Sequence, residues 1–438
     1  MYKHKTAPFI ILLSVFYFTG LFSQQQNVFE VRRQKVIDNM PANCLMIIKT
    51  SKKGYRFGFN FQQNSNLFYL TGLADEGITL LLSKNAINYP DDNSSVFSIL
   101  LLNPPASKTK SDSFYQTLQD SLQFDLVCSP MELRKILKKV NQVDFLYTNI
   151  IKQNQIKGSS ILEKRLLKFV DNFPDIKFHS PTTLTNSLRR IKNEDEIILM
   201  QKAIDITMKA HLEAFKSMEP GLFEHQIEAV VEYVFKFSGS EQLAFPTIVG
   251  AGPNSIVLHY EEGVRKIQPG DMIVMDIGCE FDHYCADITR TIPADGKFNP
   301  QQKEIYNIVL EANLEIIKNL SPGFTLAQMD SVQRAVIGKY GYEKYVRHGP
   351  THYLGLDVHD VGDWKEPLQP GCVVTVEPGI YISSNSDLPK EYWNIGIRIE
   401  DDVLITEDGC RVLTNALPKT IEKIEEIMKN DGLGNITF

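Results

Sequence analysis

Two aspartates in the stretch GDMIVMDIGCEFDHYCADITRTI, residues 270–292, sit inside runs otherwise suited to a sheet interior: Asp276 and Asp287. An ionised carboxylate in such surroundings is costly unless a cation, a cluster of donors or a proton accompanies it. A hairpin turning around Glu280 to His283 sets the two acids directly opposite each other, with Cβ atoms roughly 4.5–5.5 Å apart on one face. Like charges that close leave two arrangements: one acid keeps its proton, or a divalent cation lies between them. The plain alternative is a pair of acids that end strands at a solvent edge.

Two more acids pose the same question. In VVTVE an interior strand pattern ends at Glu377 before a Pro-Gly turn. In IGIRIEDDVLIT the alternation puts Ile395, Ile397 and Ile399 on one face and Gly396, Arg398 and Glu400 on the other. Asp401 and Asp402 read as a solvated turn. Nitrogen ligands stand in VRHGPTHYLGLDVHDVG, with His348, His352 and His359; Gly349 and Pro350 argue for a loop or short strand there. Four carboxylates around a histidine suit two divalent ions bridged by carboxylates and a water, manganese first, zinc or cobalt also acceptable. Such a pair polarises a carbonyl and turns the bridging water into a hydroxide nucleophile near neutral pH, which is hydrolysis chemistry. Further histidines suit the holding of a scissile amide and its oxyanion, and an acid contacting the water suits proton delivery to the leaving nitrogen.

The elements that must position these groups are legible in outline. From Val28 to about Phe178, strand-like runs (CLMIIKT, ITLLLS, SSVFSILLLN, VDFLYTN) alternate with amphipathic ones (ELRKILKKV, ILEKRLLKFV), the pattern of an α/β domain over residues 27–178. Asn193 with Glu196 forms a capping box that opens a long helix. Further helices are expected near Phe223, after Asn299 with Pro300 in first position, and after Thr325 with Gln328. Gly- and Pro-rich strand segments lie between them, so residues 190–430 read as α+β with antiparallel hairpins. PGDMIVMDIG at 269–278 and PGCVVTVEPG at 370–379 echo each other, with His259 and His359 at similar distances upstream. The echo suggests two related halves, each bringing a strand-borne acid and a loop-borne histidine to a shared centre.

With 438 residues, 43% hydrophobic and 23% charged, the chain suits two or three well-filled domains. A formal charge of -7 with no Lys/Arg block argues against nucleic acid as the main partner. Six cysteines without a CxxC pair make neither a disulfide scaffold nor a zinc ribbon; Cys279 and Cys285, near-opposed across the hairpin, read as two small buried thiols, with a disulfide between them as the alternative. Lys3 and Lys5 precede the apolar stretch APFIILLSVFYFTGLF and polar residues from Ser23, the order of a secretory signal peptide over residues 1–23. Export to the periplasm or the medium is the expectation; a retained N-terminal membrane anchor is the alternative. His179, His211, His225 and His283 read as surface or packing residues.

The motifs DIG…DITRT, HGPTHYLGLDVHDVG, VEPGIYI and GIRIEDDVLIT, with FPTIVGAGPNSIVLHY before them, resemble the metal-dependent pita-bread peptidases, most of all the aminopeptidase P group. FNFQQNSNLFYLTGL at 59–73 is similar to the N-terminal domain of that group and of prolidase. The resemblance implies a pita-bread (creatinase/aminopeptidase) catalytic domain preceded by a smaller α/β domain. It implies that Asp276 chelates one metal, Asp287 and Glu400 bridge two, and His352 and Glu377 complete the second, Glu377 also shuttling a proton. His259, His348 and His359 fall on positions that contact substrate, Arg398 orients substrate or carboxylates, and Tyr381 and Phe245 line the pocket. The substrate class implied is peptides with proline second, and the family habit implies a homodimer or homotetramer. Prolidase, cutting only Xaa-Pro dipeptides, is the near rival. A catalytically silent pita-bread module would have lost a ligand, and a creatinase-like, metal-free hydrolase does not need the full set; all five ligands are present here.

Overall fold

A computed structural model describes residues 28–50, 63–91, 93–104, 112–152 and 160–435. The stretch read as a signal peptide, and the first part of the FNFQQNSNLFYLTGL motif, lie outside the described residues. Among the described residues no helix is long and apolar enough to cross a membrane. The chain divides into two compact units between Thr185 and Asn186.

The first unit is built on a six-stranded mixed sheet of β1 (Cys44–Lys49), β2 (Thr79–Ile87), β3 (Val96–Leu101), β4 (Leu126–Cys128), β5 (Phe145–Thr148) and β6 (Lys177–His179). Its order is β4-β3-β2-β1-β5-β6, with β1–β2 and β2–β3 antiparallel and the outer pairs parallel. The runs CLMIIK and TLLLS form neighbouring strands buried along their length. That is why they read as continuous apolar segments rather than alternating ones. Leu45, Ile47, Leu81, Ile99 and Leu146 meet helices Leu133–Leu137 and Ile161–Val170 in one core. His179 stacks on Tyr147.

The second unit consists of helices and small antiparallel sheets. Its strands are β7 (Gln242–Leu243), β8 (Ile248–Ala251), β9 (Met272–Ile277), β10 (Cys279–Phe281), β11 (Tyr284–Cys285) and β12 (Ile288–Pro293). They continue as β13 (Val373–Val376), β14 (Gly379–Ile382), β15 (Ile395–Arg398), β16 (Asp401–Ile405) and β17 (Cys410–Val412). Helices Glu194–Ser217, Pro300–Asn319 and Leu326–Gly338 each open on a capping box, from Asn193, Asn299 and Thr325. Helix Glu224–Phe237 follows Phe223, whose backbone N–H donates to Gln226. The echoed Pro-Gly pairs are conformationally alike: Gly270 and Gly371 both have positive φ, 81° and 88°, a turn that glycine enters freely before each buried strand.

The register corrects one expectation. The hairpin turns at Asp282 and His283, both with positive φ (47° and 69°), between the paired residues Phe281 and Tyr284. Two-residue loops of this left-handed kind match the strand twist. Asp276 therefore faces Thr289, not Asp287; Asp287 is displaced to the diagonal on the same face. The directly opposed acids belong to the other half. Val376 pairs with Asp401 and Gly379 with Arg398, and the same register between them sets Glu377 opposite Glu400. A second correction concerns Asp401 and Asp402. They lie in β16, fully buried, instead of in a solvated turn. Asp401 pairs with Arg290 and Lys419 and accepts from Thr414, while Asp402 accepts from the Asp287 backbone N–H. Cys279 and Cys285 are free, buried thiols.

Alternation then sorts the strands. Val374, Val376, Val403 and Ile405 join Ile316 and Met329 of the helices, and Leu320 just past the first of them, in the core, which leaves Thr375, Glu377 and Glu400 on the opposite face.

Candidate active site

The two halves are joined by backbone. Glu400 N donates to Thr289 O at 3.0 Å, and the Thr291 hydroxyl both accepts from Arg398 N at 3.0 Å and donates to Arg398 O at 2.8 Å. Across this seam Asp287, His352 and Glu400 each offer a ligand atom, all within 4.8 Å of one another. His352 Nε2 lies 3.2 Å from Asp287 Oδ2 and 3.7 Å from Glu377 Oε1. Asp276, at the end of β9, is reached by Arg398 Nη2 at 2.6 Å. All five residues expected as ligands are thus in or beside one cluster.

The cluster is short of positive charge. Burial, with Glu400 and Asp276 close by, pushes the Asp287 carboxyl well above the usual range. Burial and the neighbouring Glu377 and Asp276 do the same to Glu400. Asp276 Oδ1 is buried with no hydrogen-bond partner. His352 Nδ1 stands 3.0 Å from the carbonyl of Tyr353. A proton on Nδ1 satisfies that carbonyl and turns the Nε2 lone pair toward Asp287, an arrangement that calls for a cation between them. An unpartnered carboxylate oxygen, two acids that resist ionisation and an imidazole aimed at them fit divalent cations held by hard oxygen donors.

A second layer fixes these groups. The Thr289 hydroxyl donates to Glu400 Oε2 at 2.6 Å and accepts from Arg398 Nε at 3.0 Å. Arg398 Nη1 donates to the Tyr381 hydroxyl at 2.9 Å, which stands 2.7 Å from His348 Nε2. Tyr381 is fully buried, and burial raises its pKa to about 12. It therefore donates to His348 Nε2, leaving Nδ1 to donate to the Gly349 carbonyl at 2.9 Å. Burial also lowers the pKa of His348, consistent with this neutral form. His348 Nδ1 lies 3.6 Å from Glu377 Oε2. Thr375 Oγ1 accepts from His352 N at 3.0 Å and reaches Glu377 Oε1 at 3.5 Å.

His359 stands edge-on to His352, ring centroids 4.4 Å apart, and burial together with that neighbour lowers its pKa. His259 occupies an exposed loop, near enough to His359 to count among the groups that lower its pKa. The Phe245 ring lies over Gly278, beside Asp276 in sequence, where a Cβ would come within 2.7 Å of it. Sequence reasoning missed Thr289, Thr375 and Asp402. The available signal was alternation: Thr289 shares a face with Asp287, and Thr375 with Glu377.

Comparison with known proteins places this site in a family. Residues 198–407 match metallopeptidase family M24, and residues 29–111 match the aminopeptidase P N-terminal domain. A Xaa-Pro aminopeptidase of Haemophilus influenzae is 34% identical over 91% of this chain and 96% of its own length. A Xaa-Pro dipeptidase of Pyrococcus horikoshii is 32% identical, covering 87% of this chain and 96% of that protein. The structure of the Pseudomonas aeruginosa aminopeptidase PepP superposes with a TM-score of 0.79 at 29% identity, over 92% of this chain and 97% of that one. A likeness that runs through both units at such coverage is more than a shared motif, and the chain belongs to the aminopeptidase P group of the M24 metallopeptidases.

Proposed function

We propose that the protein is a dinuclear-metal aminopeptidase that hydrolyses the N-terminal Xaa-Pro peptide bond. The observation that carries this reading is the convergence of Asp287, His352 and Glu400 within 4.8 Å, in a carboxylate cluster with an unpartnered Asp276 oxygen. In this reading Asp276, Asp287, His352, Glu377 and Glu400 hold two divalent ions, manganese before zinc or cobalt. Ions bound there polarise the scissile carbonyl and lower the pKa of a water, which supplies the nucleophile.

The chain's own residues do the rest. Glu377 is partly open, beside His348 and Thr375, and takes a proton from the attacking water for delivery to the leaving nitrogen. His359 and His259 line the approach to it as donors for the substrate carbonyl and its developing negative charge, while His348, its two ring nitrogens engaged by Tyr381 and Gly349, forms the wall that substrate contacts. Arg398 and Tyr381 hold Asp276 and His348 in place through the chain of bonds described above. Export is part of the proposal, supported by Lys3, Lys5 and the apolar stretch that follows them.

A second reading, prolidase, is favoured by the Pyrococcus dipeptidase relative. A peptide panel tests the two. The aminopeptidase reading expects release of the first residue from tripeptides with proline second, loss of that activity with a chelator, and recovery with manganese. Turnover confined to Xaa-Pro dipeptides would give the protein to prolidase, and turnover indifferent to chelation would remove the metal reading.

A further inference from the structure

We propose that Glu224, which lies outside the metal cluster, is a positioning residue that sets the place of His259; this rests on the reading of His259 as a substrate-contacting group. Glu224 is the first residue of helix Glu224–Phe237 and is fully buried. Its Oε1 accepts from Ala251 N at 2.8 Å and from Asn254 Nδ2 at 2.9 Å. Its Oε2 accepts from the Tyr260 hydroxyl at 2.8 Å and from Arg265 N at 2.9 Å. Two carboxylate oxygens offer about four acceptor sites, so this one side chain is saturated. The helix N-terminus favours its charge.

The donors are not scattered. They come from the two ends of one loop and from the residue next to His259. That loop leaves β8 at Ala251, turns through Gly252–Ile256 and returns at Arg265, where Arg265 O accepts from Glu224 N at 3.1 Å. Tyr260 is 7% exposed, whereas Val257 is 48% exposed and His259 also faces solvent. The loop is thus tied down at its base and at Tyr260, and His259, the residue before that anchor, keeps its side chain exposed. The Tyr260 phenol, lodged on Glu224, leaves its neighbour in the chain little freedom to move. A group that contacts a reacting centre loses most of its effect when displaced by about 1 Å.

Coupling to His259 is the test, because a role confined to folding would be indifferent to it. Glu224→Gln keeps the shape but turns an amide nitrogen toward two donors. We expect it to lower kcat on an Xaa-Pro tripeptide by roughly ten- to a hundredfold, with metal content unchanged. In a His259→Ala background the same substitution should cost less than about twofold. Tyr260→Phe, which removes one bond and retains the ring, should give a smaller loss that also vanishes in that background; it carries the test alone should Glu224→Gln fail to fold. Losses that multiply independently of His259, or none from either variant, would overturn the proposal. Wild-type turnover in His259→Ala itself would instead remove the reading of His259, and the proposal with it. Failure of all turnover on proline peptides by the unaltered enzyme would count against the function and be seen before any variant is made.

Discussion

Thr289 joins groups of opposite charge with one hydroxyl, donating to Glu400 and accepting from Arg398, while it sits opposite Asp276 in the strand ladder. It is fully buried, so neither partner has water to turn to. Thr289→Val preserves shape and strand preference but leaves a guanidinium N–H and a carboxylate oxygen unpaired. A buried polar group so deprived costs about 1–3 kcal/mol. Partners of this kind behind a metal ligand are worth about ten- to a hundredfold in metal affinity or activity. We therefore expect Thr289→Val to lower turnover or raise the metal concentration needed for half-maximal activity by that factor, with Thr289→Ser close to wild type. Equal activity of the valine and threonine enzymes across a manganese titration would show the hydroxyl to be idle. The acids around Thr289 announced themselves in the sequence because a charge in an apolar strand needs a reason. Threonine needs none, since it is at home in any strand, and that is why it went unread.

The strand elements show the same division. Capping boxes at Asn193, Asn299 and Thr325 are local, three-residue signals, and each opens its helix where the pattern placed it. Register is not local. The pairings of β13 with β16 and β14 with β15 leave Glu377 and Glu400 as the facing acids. Separately, the turn at Asp282–His283 puts Thr289 opposite Asp276, a result set by backbone twist and two left-handed residues that no hydrophobic pattern encodes. Gly278 marks the place where this register is enforced. A Cβ there would meet the Ala286 carbonyl oxygen at 2.0 Å and the Phe245 ring at 2.7 Å. The first of these is backbone and cannot step aside without opening the hairpin between Asp276 and Asp287. Gly278→Ala should therefore destabilise the protein by roughly 3 kcal/mol or more and weaken metal binding, read as a lower denaturation midpoint and a lower metal content. An alanine variant with the wild-type midpoint would mean that the two strands separate there at little cost. Asp401 and Asp402 were misread for a related reason: adjacent acids look solvent-facing until Arg290, over a hundred residues away in the chain, is found against one of them.

Over the whole molecule the buried titratable groups set the response to acid, and His211 contributes to the first part of it, against the raised carboxyls of Asp287 and Glu400, whose protonation in the folded state works the other way. It is fully buried in helix Glu194–Ser217, its Nε2 is 2.9 Å from Ile288 O, and Nδ1 has no partner. Burial, with the Arg290 charge nearby, lowers its pKa from 6.5 to about 3. The unfolded chain therefore takes up a proton near pH 6.5 that the folded one refuses until about pH 3. Stability is fully present above the unfolded value and falls as the pH drops below it, by up to about 1.4 kcal/mol per unit. Asp360 adds to the fall at lower pH. Burial alone would raise its pKa, but Lys192 and Arg189 hold it below the usual 3.8, so its contribution is lost only as the pH falls beneath that value. His348 and His359, both lowered by burial, act in the same direction as His211, so the informative quantity is a difference between two proteins. His211→Gln retains a donor for Ile288 O and removes the titration. Between about pH 7.5 and about pH 5 the wild type should lose roughly 2 kcal/mol more than the variant, measured as denaturation free energies at fixed metal concentration. Parallel pH curves for the two would mean that water reaches His211 in the folded state, and that the seam beneath Asp287 and Thr289 is looser than its packing indicates.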